Sequence, residues 1–393
     1  MATETIPLTQ IKEEEFQTGN VLPIVGAHFA HDIYTAAVPA LLPVLIEKLS
    51  LSLTLVGTLT AILQLPAVLY PFIGYLADRV SLRYFVILAP GITATLIGSL
   101  GFASGYLELA IILFATGISV ACFHAPAPAM IGRLAGNQVG KGMSLFMAAG
   151  ELARAVGPLL AVWAVSAWTL EGFYRVIFIG WAATLVLYFR LRQVPARMET
   201  PESIRSIFPF IRSLFLPLFL ILLFRSFMRD SLSTFLPIFI KGEGASLWVA
   251  GAALSILELA GVAGALVSGT VSDFLGRKKI LLISTISAVI FMLLFLQVEG
   301  WLVIPILLVL GFTALSTGPV MLAMVQDQLP NNRAVGNGIY LMIAFLVRPV
   351  ALVIIGYLGD QFGLNQVYWW SAIVSLLAVP FILLLPEKES AAA

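Results

Sequence analysis

Gly26-Ala27-His28-Phe29-Ala30-His31-Asp32, with Pro39 seven residues beyond the aspartate, is answered by Phe224-Arg225-Ser226-Phe227-Met228-Arg229-Asp230, with Pro237 at the same distance. Both stretches sit inside long apolar runs, and the correspondence continues along the chain. Gly74-Tyr75-Leu76-Ala77-Asp78-Arg79 returns as Gly269-Thr270-Val271-Ser272-Asp273, followed by Gly276-Arg277-Lys278-Lys279. Ala129-Met130 returns as Ala323-Met324, and the same offset carries Arg154 onto Arg348. The offset drifts only from 198 to 194 residues, so the chain is two near-equal copies of one pattern. Parallel repeats of apolar spans build one large class of secondary transporters, with the substrate site near the bilayer midplane.

Composition leads to the membrane independently. Hydrophobic residues make up 60% of the chain and charged residues 11%, where a soluble domain carries roughly 25% charged. A helix needs about 20 apolar residues to cross the hydrocarbon core. Turn signals divide the chain into twelve such runs: 20–46, 52–76, 84–104, 107–134, 142–168, 172–192, 213–240, 246–271, 280–298, 301–327, 336–358 and 366–385. A large soluble all-α protein would need polar helix faces that these runs lack. The expected architecture is an all-α membrane protein of twelve transmembrane helices in two six-helix repeats. Its parts are a tail over 1–19, a bundle over 20–192, a linker over 193–212, a second bundle over 213–385 and a tail over 386–393.

Lysine and arginine set the expected orientation. With the N-terminus in the cytoplasm, fifteen basic residues outside the mid-spans fall on the cytoplasmic side, from Lys12 through Arg190 and Arg212 to Lys388. Only Lys48, Arg175 and Lys241 fall opposite. That bias follows the positive-inside rule and places both termini in the cytoplasm. The first nineteen residues are polar and acidic, and the first apolar run is too long for a signal h-region, so no cleavable signal peptide is expected. The lone cysteine, Cys122, lies within span 4 and excludes an intramolecular disulfide.

Gly74-x-x-x-Asp78-Arg79, ending on Arg83, resembles the loop signature of the major facilitator superfamily. The second glycine of that signature is missing here, whereas the second-half copy keeps Gly276-Arg277-Lys278. The resemblance implies that Gly74, Asp78, Arg79, Arg83, Asp273 and Arg277 latch one conformation rather than touch substrate. The glycine permits close helix approach, the aspartate faces a helix N-terminus, and the arginine pairs across the seam between halves. Arg133 and Asp327, at corresponding ends of spans 4 and 10, suit the same gating role.

A narrower likeness follows from His28-Phe29-Ala30-His31-Asp32 with Pro39 and Pro43, from Phe123-His124-Ala125-Pro126, and from Gly142-Met143-Ser144-Leu145-Phe146 and Gly157-Pro158. These stretches resemble the fosmidomycin resistance protein family. Membership implies drug export driven by proton antiport, the named substrate of the family being a small phosphonate antibiotic. Ala125-Pro126-Ala127-Pro128 departs from the family's more polar stretch, which bears on the substrate more than on the fold.

Ionisable side chains inside spans are costly and mark functional sites. Here they are His28, His31 and Asp32 in span 1, His124 in span 4, and Glu151 with Arg154 in span 5. The second half adds Arg225, Arg229 and Asp230 in span 7, Glu258 in span 8 and Arg348 in span 11. All three histidines of the chain belong to this set. Histidine and a buried carboxylate are the groups whose protonation can change near neutral pH, so Asp32, His28, His124 and Asp230 are the candidates for proton coupling. His31, Glu151, Arg154, Arg225, Arg229, Glu258 and Arg348 are the candidates for substrate binding. Glu151 and Arg154, three residues apart, can also neutralise each other. Arg225 and Arg229 share a helix face, which like charges disfavour unless an anion or carboxylate lies between them. Asp230 points roughly 100° away from Arg229.

Other chemistry is not expected. No phosphate loop with a following Lys-Ser/Thr is present, which argues against ATP-driven transport. No metal-ligand spacing involves cysteine, three histidines are a thin basis for a metal site, and no cofactor or catalytic residue is expected. A net charge of +1 with no basic patch argues against nucleic acid. The reading is a monomeric, multi-pass carrier of the cytoplasmic (inner) membrane whose partners are a small molecule, protons and the lipid bilayer. It would export an anionic or zwitterionic compound against inward proton flow. An importer of an organic anion and a non-transporting receptor of the same fold are the alternatives.

Overall fold

The computed structural model describes residues 15–77, 82–192, 211–329 and 333–386. Every regular element among them is helical. Twelve spans follow in order: α1 (Thr18–Leu49), α2 (53–77), α3 (Arg83–Phe102), α4 (Tyr106–Leu134), α5 (Gly136–Trp168), α6 (Glu171–Leu191), α7 (211–242), α8 (Leu247–Leu275), α9 (Arg277–Phe295), α10 (Gly300–Gln328), α11 (Arg333–Phe362) and α12 (Leu364–Leu384). In hydrocarbon a backbone must satisfy its own hydrogen bonds, which is why apolar runs of this length close into helices. The linker expected over 193–212 lies almost wholly outside the described residues.

Ten spans are long and apolar enough to cross a bilayer unaided. The other two are interrupted, each for a local reason. In α2 the helix tightens into a 3-10 stretch over Leu65–Leu69 opened by Pro66, which has no N–H to give. In α7 the charges Arg225, Arg229 and Asp230 break the apolar run, and a π-helical turn over Ser231–Phe235 follows directly on Asp230. Such turns recur at functional positions because they re-aim the adjoining side chains. Two further spans break near mid-length. α4 pauses after His124, at Ala125-Pro126, and α10 pauses after Ala314, shortly before Pro319.

Small residues let the helices approach. A Cβ on Gly157 of α5 would stand 2.7 Å from the Ile33 carbonyl oxygen and 2.6 Å from Ala36 Cβ of α1, so only glycine permits this crossing. Buried Tyr34 on α1 donates its hydroxyl to the Val176 carbonyl at 2.5 Å and accepts from the Gly180 N–H at 3.1 Å, tying α1 to α6. Outside, large apolar side chains such as Phe72, Leu107, Leu266 and Trp301 are exposed. That surface suits lipid as its solvent.

The halves meet along two lines, α2 against α11 and α5 against α8. A Cβ on Gly57 would strike the Leu352 carbonyl, and one on Gly356 the Leu53 carbonyl. Gly251 of α8 lies against Val162 and the Pro158 carbonyl of α5. Asp360 at the end of α11 accepts the backbone N–H groups of Leu53 and Thr54 at 2.7 and 2.8 Å, so it caps α2 of the other half. Lys241 of α7 and Glu47 of α1 pair across the halves at 2.8 Å. These contacts run from mid-span to the end of the bundle remote from residues 15 and 386. Nearer the tail end the halves touch through an edge-on contact of Tyr70 and Phe345, 5.0 Å between centroids.

Candidate transport site

Asp32 stands close to the middle of α1, and all three histidines of the chain converge on it. His28 lies one helical turn earlier on the same face, with Nε2 3.1 Å from Asp32 Oδ2. His31 reaches Oδ1 through Nδ1 at 2.8 Å, and His124 reaches the same oxygen through Nε2 at 2.9 Å. His124 can do this because α4 ends its regular turn there, where Pro126 and Pro128 cannot donate to the ladder.

Two of the rings are fixed from behind. Phe146 stacks on His28 at 3.9 Å and 16°, and Phe123 stacks on His31 at 4.6 Å and 13°. Gly150 leaves room for the first ring, since a Cβ there would stand 2.7 Å from His28 Cε1. His31, with 0% of its surface exposed, meets Thr93 Oγ1 through Nε2 at 3.1 Å, and Thr93 donates to Ser119 Oγ at 2.8 Å.

The partner of His28 settles where its hydrogen is. Nδ1 lies 2.7 Å from the Phe146 carbonyl, which only accepts, so Nδ1 carries the hydrogen. A neutral His28 then turns a lone pair towards Asp32 Oδ2. That contact is one of distance alone, since His28 Nε2 has no hydrogen-bond partner among the described residues. Every group gathered around Asp32 here belongs to α1, α3, α4 or α5. His28, Asp32 and His124 have donor atoms within 4.8 Å of one another, the one group among the described residues spaced to hold a cation. Their direct contacts at 2.9–3.1 Å are hydrogen-bond lengths.

The second half presents guanidinium groups instead. Asp230 is 1% exposed and its Oδ1 lies 3.0 Å from Arg348 Nε on α11. Arg154 on α5 pairs with Glu151 on its own helix, and its Nε lies 3.4 Å from Glu258 Oε2 on α8, across the seam. Of the four mid-span arginines, Arg154 and Arg348 therefore have carboxylate partners. Arg225 and Arg229 have none among the described residues. Arg225 is 5% exposed and donates only to Thr285 Oγ1 and, at 3.2 Å, to the Ala314 carbonyl that the break in α10 leaves available.

A cavity of about 140 Å³ lies between the halves, lined among others by Asp32, Thr35, Arg154, Arg229, Glu258 and Arg348. A smaller one of about 40 Å³ shares Arg229 and Arg348 with it and reaches Arg225 and Ser226. Of the mid-span residues singled out in the sequence, Asp32, Arg154, Arg225, Arg229, Asp230, Glu258 and Arg348 line these two cavities, but the sequence left most pairings open. His31 proved a direct partner of Asp32, and Asp230 pairs with Arg348. Gly150, Thr93 and Ser119 escaped notice because small residues in a span carry no signal of their own, and Phe146 entered only as part of a family likeness.

The latch residues divide. Asp78 and Arg79 lie outside the described residues, Gly74 falls in the last helical turns of α2, and Arg83 opens α3. In the second half Arg277 meets Asp273 at 2.7 Å, Asp327 at 3.1 Å and Ser272 Oγ at 2.6 Å. The expectation of an arginine paired across the seam is not met by Arg277. Its partners among the described residues all belong to its own half, because the first turn of α9 points it at the ends of α8 and α10. Arg133 ends α4 on the same side of the bundle. Asp360 was missed altogether, since its partners lie 307 and 306 residues away.

Known proteins agree with this architecture. The chain is 26% identical over 384 residues to the fosmidomycin resistance protein of Escherichia coli (strain K12), covering 93% of each. It is 23% identical over 386 residues to the MFS-type transporter YfnC of Bacillus subtilis (strain 168), covering 94% of this chain and 93% of that one. A bacterial homologue of the human lysosomal transporter Spinster, solved inward-facing and occupied, superposes with a TM-score of 0.80 at 16% identity, covering 94% of this chain and 96% of that one. The profile of the Major Facilitator Superfamily matches residues 24–296 and 218–393, and the chain belongs to that family of membrane transporters, which are not enzymes.

Proposed function

We propose that the chain is a proton-coupled exporter of a small anionic or zwitterionic compound, working by alternating access as a monomer in the cytoplasmic membrane with both tails inside. The observation that carries this reading is the convergence of three histidines on one mid-span carboxylate. The name of the relative at 26% identity supports efflux. Residues 20–192 and 213–385 act as the two rocking bundles, and the seam closed from midplane to remote end makes the described state one that is shut to the outside.

In the cycle, cargo enters from the tail side and occupies the cavity between the halves. After rocking, a proton from outside reaches the Asp32 cluster and cargo leaves; the loaded cluster then returns and gives its proton to the cytoplasm. Asp230, held by Arg348, is the second candidate for a proton. Linkage requires the state that gains affinity for protons to be the one that loses affinity for cargo, by the same factor in both directions. The latch set around Asp273, Arg277 and Asp327 sets how readily the bundles exchange. A thermal-shift screen for cargo, followed by transport in liposomes with and without an imposed pH gradient, tests the reading. Accumulation that follows the gradient supports it, whereas cargo movement indifferent to the gradient, or no counterflow of any cargo, rejects it.

A further inference from the structure

We propose that the cargo is a zwitterion lying across the inter-half cavity, with an oxyanion on Arg225 and Arg229 and a cationic end towards Asp32 and Glu258. This rests on the reading of that cavity as the cargo site and narrows its chemistry.

The cavity is bipolar when its ion pairs are counted. Arg348 and Asp230 cancel. Arg154 is flanked by both Glu151 and Glu258, which leaves one negative charge at that corner. Asp32 adds a second, met by imidazoles rather than by arginine. Arg225 and Arg229 leave two positive charges with no carboxylate in salt-bridge contact among the described residues, Asp230 of the same pocket being held by Arg348, and Arg225 is 5% exposed. A buried guanidinium without a counter-ion is strongly disfavoured, and Arg229, half-buried one turn on along the same face, adds a like charge beside Arg225. The pocket of about 40 Å³ beside them has room for roughly three water-sized spheres, the scale of a carboxylate, sulfonate or phosphonate head. Guanidinium forks match such oxygens in pairs. Arg229 lines this pocket and the larger cavity alike, so a head group bound here has its remainder directed to the wall that carries Asp32 and Glu258.

The sign of coupling requires the second pole. A proton arriving at the Asp32 cluster adds positive charge, which attracts an anion in the same low-dielectric cavity and would carry both in one direction. Exchange in opposite directions needs a cargo that the proton repels. A cationic end beside Asp32 meets that condition, because it and the proton seek the same carboxylate.

The probes are three series of matched chain length: ω-aminoalkanesulfonates, alkanesulfonates and alkylammonium ions, titrated calorimetrically into the purified full chain. At the best length the aminosulfonate is expected to bind at least about tenfold tighter than either singly charged probe. Arg229→Gln should abolish the advantage over the alkylammonium ion, and Glu258→Gln or Asp32→Asn the advantage over the alkanesulfonate. Two acidic-end variants are included so that a folding failure in one leaves the other. Alkanesulfonate binding as tight as aminosulfonate binding overturns the proposal, as does failure of all three series at about 10 mM. The exporter reading fails separately. A purely anionic cargo driven out by protons keeps it and removes the zwitterion; a zwitterion preference without any response to a pH gradient does the reverse.

Discussion

Asp32→Asn keeps the shape of the side chain while removing both its charge and its capacity to take up a proton. Gradient-driven accumulation should collapse, and exchange of cargo for cargo, which needs no net proton movement, should persist at cargo concentrations raised to offset the weaker binding. Full accumulation by the Asp32→Asn protein in liposomes would take this residue out of the coupling. Arg225→Gln makes a prediction of two signs. Without cargo, losing a buried charge that lacks a counter-ion should leave thermal stability unchanged or raise it. Affinity for an anionic head group should fall by about 1.5–3 kcal/mol for a lost charge-assisted bond. Calorimetry on the same preparation reads both, and a destabilised protein with intact affinity would make Arg225 a structural residue. What the sequence could say at this scale was which residues are unusual, since a charge in an apolar span stands out by itself. It could not say that Arg348 takes Asp230 and leaves Arg225 without a carboxylate, because pairing depends on helix rotation, which the π-helical turn after Asp230 alters.

At the scale of helices, the breaks matter more than the lengths. His124 reaches Asp32 only because α4 pauses there, and the pause in α10 supplies the carbonyl that Arg225 holds. Prolines announced both bends, whereas their consequence depended on which carbonyl faced which donor. Asp360 acts at this level as well. It is an N-terminal cap supplied to α2 from the opposite half, and a cap contributes about 1 kcal/mol. Asp360→Asn keeps an acceptor but loses the charge that suits a helix N-terminus, and Asp360→Ala loses both. The alanine variant should shift the equilibrium about fivefold towards the state open at that end. Spin labels on the remote ends of α1 and α7 would report it as a growing long-distance population. An unchanged distance distribution would show that the cap does not hold the gate.

For the molecule as a whole, the repeat was the legible part. Twelve apolar runs and a fixed offset were enough for the architecture, because hydropathy and the backbone's hydrogen-bond requirement leave few alternatives in lipid. The seam was not legible, since glycine-to-carbonyl approaches such as Gly57 to Leu352 join residues that nothing in either repeat marks. Asp273→Asn tests how the bundles move. It removes one of two carboxylates on Arg277, at an end of the bundle away from the cavity. Conformational exchange should change in rate while equilibrium affinity for cargo stays the same. A large loss of affinity with an intact fold would place Asp273 in the binding site.

Among the described residues, the groups gathered around Asp32 belong to the first repeat, and those that hold Arg225 belong to the second. On the proposed reading the two like scaffolds share the work unequally: the first chiefly handles the fuel, while the freight lies between both and has its anionic end held by the second. On that reading, altering a few second-repeat side chains would revise the menu of carried compounds and leave the engine untouched. A hybrid that joins this first repeat to the second repeat of a relative should inherit its driving force from one parent and its tastes from the other.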